Sequence, residues 1–191
     1  MAILAVIVST YPIGFAFVSG ADGIFRSKSP ELLANTLYLT LFYTHTGFGG
    51  LALFVGFSQF FKKLRAKRLN LHKTLGKIYV VSVLISGVTG LYIAYYATGG
   101  IVSITGFSAL AILWLYTTIQ AYTSIKKGNI QAHQRWMIRS YALCFAAVTL
   151  RIYLGISFGL GIAFLTFYPI ISWLCWVPNL LFAEYRIKKL K

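Results

Sequence analysis

Long apolar runs separated by short basic stretches set the pattern of this chain. Six runs of the length that crosses a bilayer, about 20 residues each, follow one another at Met1–Gly20, Leu37–Phe61, Leu75–Tyr96, Thr105–Ser124, Trp136–Phe158 and Ile162–Phe182. The pattern predicts an all-α integral membrane protein built as a six-transmembrane-helix bundle. Nothing reads as a linker or a low-complexity stretch, so a single transmembrane helical domain over residues 1–191 is expected.

Charge supplies the orientation. Of the 18 Lys and Arg, all but Arg26, Lys28 and Arg151 lie in the connection after the second span, the connection after the fourth, or the C-terminal tail. By the positive-inside rule these three regions are cytoplasmic, which puts both termini in the cytoplasm. Arg26 and Lys28 fall in the first external loop, offset by Asp22 and Glu31. The first run lacks a basic leader and a small-residue cleavage pattern, so a retained helix is expected rather than a secretory signal.

Composition agrees and narrows the class. With 58% hydrophobic residues, 11% charged and a mean hydropathy of +0.74, the chain carries more apolar surface than a soluble domain of 191 residues can bury. The net charge of +15 would suggest a nucleic-acid partner in a soluble protein. Here the cations sit at the ends of apolar segments and their partner is the lipid bilayer, with no nucleic acid expected. Cys144 and Cys175 fall inside spans and read as small buried hydrophobes.

A weak internal repeat organises the polar residues. Shifting the sequence by 61 positions lays Gln59 on Gln120, Arg65 on Lys126, His72 on His133 and Tyr92 on Tyr153, with Leu64/Ile125, Leu69/Ile130 and Leu91/Ile152 between them. Spans 2 and 3 would then correspond to spans 4 and 5, as a two-fold repeat of helix pairs about an axis along the membrane normal. Two of the three histidines, His72 and His133, thus take equivalent places at the cytoplasmic ends of facing helices. His45 falls opposite Gly106 and has no counterpart.

Depth follows from helical rise. Arg151 lies about five turns beyond His133 on the same face, about 27 Å further out, and His45 lies about 24 Å above the cytoplasmic end of span 2. The chain therefore has an inner level with His72 and His133 and an outer level where His45 and Arg151 meet. A guanidinium deep in a span costs at least about 2.5–3.5 kcal/mol, so Arg151 should face the bundle interior. Its expected acceptors are helix carbonyls, the hydroxyls of Thr44, Thr46 or Tyr153, or an anionic ligand group.

Several chemistries suit these positions. Two neutral imidazoles on facing helices can hold a haem b iron, with Arg135 and Arg139 pairing the propionates beside Lys73 and Lys77. A zinc site lacks ligands at that level. The histidines would otherwise be interfacial residues facing water and headgroups. His45 with Arg151 would form a quinone or proton site in the outer half.

The motifs His45-x-x-x-Gly49, Leu71-His72-Lys73-x-x-Gly76-x-x-Tyr79, His133-Gln134-Arg135-Trp136-Met137-Ile138-Arg139-Ser140-Tyr141-Ala142, Val148-Thr149-Leu150-Arg151 and Trp176-Val177-Pro178-Asn179-Leu180 with Glu184 resemble the bacterial membrane-protein family known as domain-of-unknown-function family 2306. The resemblance covers most of the chain from span 2 onward. It implies a multi-spanning bacterial inner-membrane protein with His45, His72, His133, Arg139 and Arg151 at motif positions. A more distant likeness to di-haem cytochromes of the b561 and ferric-reductase kind rests on histidines in a helical bundle only, and three histidines leave room for at most one bis-histidine haem. The expectation is a membrane electron-transfer protein with a haem b or quinone site, exchanging electrons with quinone or a membrane redox partner. The alternative is a non-enzymatic small-molecule or proton-coupled carrier, or an accessory subunit of a membrane complex.

Overall fold

The computed structural model describes residues 2–9 and 23–190, all helical or irregular with no strand among them. In chain order they form α1 (Ala2–Ser9), a 3-10 turn (Gly23–Ser27), α2 (Pro30–Leu33), α3 (Thr36–Ser58), α4 (Lys62–Lys67), α5 (Leu69–Tyr95), α6 (Gly100–Lys126), α7 (Ile130–Cys144), α8 (Ala146–Gly159), α9 (Phe164–Leu174) and α10 (Val177–Lys188). The expected first span, Met1–Gly20, falls within the described residues only over α1, and Asp22 lies outside them.

Among the described residues four helical stretches are long and apolar enough to cross a membrane: Leu69–Tyr95, Gly100–Lys126, Ile130–Gly159 and Phe164–Lys188. The first starts six residues before the expected Leu75, so His72 and Lys73 belong to its opening turns rather than to a loop. Thr36–Ser58, a helix of 23 residues, is not among the four. Thr40, Thr44, His45 and Thr46 dilute the hydropathy of its outer half.

Local chemistry sets the ends. Asn35 and Asn129 cap α3 and α7, their side-chain oxygens accepting from the N–H of Tyr38 at 3.1 Å and of Ala132 at 2.9 Å. The expected fifth span is one stretch with a turn at Phe145, which ends α7 by donating to the Tyr141 carbonyl at 2.9 Å and starts α8 by accepting from Val148 N at 2.9 Å. The expected sixth span is broken at Cys175–Trp176, ahead of Pro178, which brings no N–H. Side chains donate to carbonyls around that break, Trp176 Nε1 to Ser172 at 3.0 Å and Asn179 Nδ2 to Cys175 at 3.0 Å.

The bundle is built from α3 against α5, α6 against both α5 and α7, and α9 and α10 laid against α6 and α7. Small hydroxyl residues share the apolar interior, and the outside is apolar as well. Ser82, Ser86, Ser103, Thr117, Thr118, Ser140 and Ser172 are buried, while Val81, Val88, Ile112, Ile119 and Ile156 point outward and are exposed. Outward aliphatic side chains are at home in hydrocarbon, and small hydroxyl residues inside allow helices to approach closely and to bond across the gap. Gly56 shows how close: a Cβ there would stand 2.7 Å from the ring of Tyr141 and 2.8 Å from that of Tyr79.

Candidate functional site

At the inner end of the bundle His72 and His133 are electrostatic neighbours. His72 sits in the first turn of α5, its N–H bonded to the Arg68 carbonyl at 3.1 Å, and His133 sits in the first turn of α7, bonded to the Asn129 carbonyl at 3.0 Å. The two imidazoles are close enough to feel each other's charge, with Arg65 as the other cation near His72. His133 Nδ1 lies 2.9 Å from the Ala121 carbonyl of α6. A carbonyl only accepts, so Nδ1 carries the proton and the Nε2 of the neutral ring keeps its lone pair. His72 Nδ1 is buried and has no hydrogen-bond partner.

The outer level repeats the device. His45 Nδ1, on α3, lies 2.8 Å from the Ser86 carbonyl of α5, while Ser86 Oγ donates back to the His45 carbonyl at 2.9 Å. The same logic fixes His45 Nε2 as the lone-pair nitrogen. Gly90, one turn beyond Ser86, makes room for the ring, since a Cβ there would stand 2.9 Å from His45 Nδ1. Arg151, half-buried on α8, is an electrostatic neighbour of His45, and its Nη1 donates to the Ala147 carbonyl at 2.7 Å. Thr44 and Thr46 bond back to carbonyls of their own helix, Thr40 at 2.7 Å and Phe42 at 3.1 Å.

Between the levels lies a ring of hydrogen bonds whose directions can be assigned. Thr118 donates to the Trp114 carbonyl at 2.8 Å, so at the 2.6 Å contact with Ser140 it accepts and Ser140 donates. Ser140 has then used its proton, and Tyr79 must donate to it at 2.7 Å. Trp114 Nε1 in turn donates to Tyr79 at 3.5 Å. The sequence of donation starts and ends on Trp114 and joins α5, α6 and α7 (Tyr79, Trp114 with Thr118, and Ser140 respectively).

At the rim the expected cations part company. Arg139 is held as a fork by Glu184 of α10, at 2.5 Å and 2.8 Å, with its guanidinium carbon 4.5 Å from the centre of the Trp136 ring. Arg135 is exposed and lines a recess of about 330 Å³ with Trp136, Arg139 and Ile187. Lys73 and Lys77 are exposed on α5. No group of three or more His, Cys, Asp or Glu able to hold a metal ion occurs among the described residues.

Residues 42–187 match the model of a family described as "Predicted membrane protein (DUF2306)". The chain belongs to this family. No curated protein and no solved structure is similar to it. The DUF2306 match takes in the three histidines, Arg135, Arg139, Arg151 and Glu184. Sequence patterns named the histidines and arginines of this DUF2306 chain, and helix carbonyls as acceptors for Arg151, but not the partners of the histidines or of Arg139. The Ala121 and Ser86 carbonyls are backbone groups with no signature, and Glu184 meets Arg139 only because α10 folds back on α7. Ser86 and Gly90 did leave a trace, as small residues one turn apart on a single face of α5.

Proposed function

We propose that this membrane protein is a six-span redox protein of the bacterial inner membrane, with both termini cytoplasmic, in which His72 and His133 hold a haem b. The observation that carries the reading is that His133, an electrostatic neighbour of His72, is locked by the Ala121 carbonyl so that its Nε2 keeps its lone pair. An imidazole anchored through its other nitrogen on a backbone carbonyl is the usual arrangement of a ligating histidine. The unpartnered, buried His72 Nδ1 fits the same reading, because an orphaned ring nitrogen is costly unless a bound group completes the site. A haem bound there supplies one-electron chemistry. Arg135, Lys73 and Lys77 are the cations free to face its carboxylates, since Glu184 occupies the Arg139 fork. His45 and Arg151 form the outer polar site, suited to a quinone oxygen.

The two-fold repeat of helix pairs is part of the proposal. It is supported by two pairs of positions related by the same shift of 61: Tyr79 with Ser140, which are bonded, and His72 with His133, which are neighbours. A proton-coupled carrier would use a polar path along this axis. The Trp114–Tyr79–Ser140–Thr118 ring ends on itself and offers no onward donor, which favours two separate sites over a continuous path.

Purified protein tests the reading through its absorption spectrum. A sharp Soret band with low-spin α and β bands is expected, lost in His72→Ala and in His133→Ala and kept in His45→Ala. Equal haem content in all three variants, or none in the wild type, overturns it.

A further inference from the structure

The sharp turn from α3 into α5 carries the densest charge in the chain. Lys62, Lys63, Arg65, Lys67 and Arg68 fall within seven residues that include no carboxylate. Arg65 is turned inward, its Nη1 donating to the Gln59 carbonyl at 3.1 Å near the end of α3. The other four surround a recess of about 440 Å³ whose remaining lining is Phe61 and Leu64. Its surface is almost wholly apolar, made by Phe61, Leu64 and the aliphatic stems of the four cationic residues, and no anionic group lines it. Glu184 is committed to Arg139, and Glu31 lies beyond the opposite end of α3, so no described carboxylate neutralises these cations. Exposed Phe60, Leu69 and Leu71 flank the turn on both sides.

We infer that this recess is a binding site for an anionic phospholipid, with the phosphate held by Lys62, Lys63, Lys67 and Arg68 and the acyl chain laid along Phe61 and Leu64. The charge is positive and uncompensated, and the apolar lining excludes a purely hydrophilic anion as the best fit. The turn joins two bundle helices at the end of a membrane span, where phospholipid headgroups are the most concentrated anions available. Short basic helices with an apolar side lie in the interface in this way. The site is separate from the histidines and stands or falls without them.

Lipid selectivity in nanodiscs tests the site. The association of spin-labelled phosphatidylglycerol is compared with that of spin-labelled phosphatidylcholine for the full chain in a phosphatidylcholine disc. The wild type prefers phosphatidylglycerol. Lys63→Gln/Lys67→Gln lowers the affinity for it by about fivefold per cation removed, whereas Lys63→Arg/Lys67→Arg retains it and reports that loss of fold is not the cause. Lys188→Gln/Lys189→Gln, in the tail, leaves the preference intact. A wild type without preference, or one whose preference is lost in the tail variant and kept in the Gln pair on α4, overturns the site. Inorganic phosphate displacing the lipid better than chloride at equal ionic strength marks a free-anion site and overturns the lipid assignment.

Discussion

Tyr79 and Ser140 stand 61 residues apart in the chain and 2.7 Å apart in the bundle. Their bond belongs to a ring in which each hydroxyl donates once, so removing one member orphans its neighbours. Tyr79→Phe leaves Trp114 Nε1 without an acceptor, and Ser140→Ala leaves the Tyr79 hydroxyl without one. Each single variant is expected to lose about 1–3 kcal/mol of stability. The double variant should lose much less than the sum, because the orphaned group is removed along with its partner. Unfolding in mixed micelles measures all three, and strict additivity would mean that the hydroxyls act independently.

The Arg139–Glu184 fork pins α10 against α7 at the edge of the bundle. Its side chains are 21% and 39% exposed, so solvent screening limits its contribution to about 1 kcal/mol. Arg139→Lys keeps the charge and the Trp136 contact but cannot make both bonds, and should lose most of the coupling in a double-mutant cycle with Glu184→Gln. Proteolysis of the C-terminal helix should quicken in Glu184→Gln. An unchanged cleavage rate would show that packing alone holds α10.

Four membrane-length stretches were legible from apolar run length, the full count of six not being carried by the described residues, and the pairing of the inner histidines came from the 61-residue shift, because both depend on periodic, local information. The turn at Phe145 was not, since no Gly or Pro marks it and the chain repairs it with ordinary backbone bonds. The Tyr79–Ser140 contact obeys the same shift yet left no signal, because partners across an axis need to fit each other, not to match in type. The Arg139 fork was hidden for a third reason: its carboxylate lies on another helix, 45 residues on, so only tertiary packing brings the two together. What sequence could give at the candidate site was the level of each residue, and what it could not give was the bond that fixes each ring.

Lys28 is the titratable group to watch outside the bundle. Its ammonium donates to the Tyr96 carbonyl and, at 3.0 Å, to Thr98 Oγ1, tying the segment before α2 to the turn after α5. Burial pushes its pKa down from 10.5 to about 8. The unfolded chain keeps the proton up to 10.5, so between about pH 8 and 10.5 it binds more protons than the folded one. Stability therefore rises as pH climbs through that window, and the burial penalty is fully present below it. At pH 8 the neutral fraction of Lys28 is roughly a hundredfold that of a lysine at the ordinary 10.5, so it should acylate early. Peptide mapping after brief labelling reads this directly, and a Lys28 no faster than Lys188 would contradict it.

The outer site makes the last and most direct test, because it concerns proximity and needs no ligand. His45 reaches its place by bonding the Ser86 carbonyl and by lying over Gly90, where even a methyl group would come within 2.9 Å of Nδ1. Gly90→Ala must therefore push the ring off the carbonyl, and 15N spectra of the histidines should show the fixed Nδ1–H form of His45 giving way to a mixture of tautomers. Arg151 is its electrostatic neighbour from α8, so cysteines placed at 45 and 151 should be joined by a short thiol crosslinker. Cys144 and Cys175 are buried and free, and replacing both with Ala first keeps them from competing. The pair 72 and 151, at opposite levels about 27 Å apart along the bundle, should not be joined. A link at 72–151, or none at 45–151 in a folded background, would separate His45 from Arg151 and remove the outer site. With the pair linked, Arg151→Lys becomes informative: a lysine keeps the charge but not the planar fork, so if the fork positions a ligand oxygen beside His45, quinone-dependent turnover falls while the fold is kept.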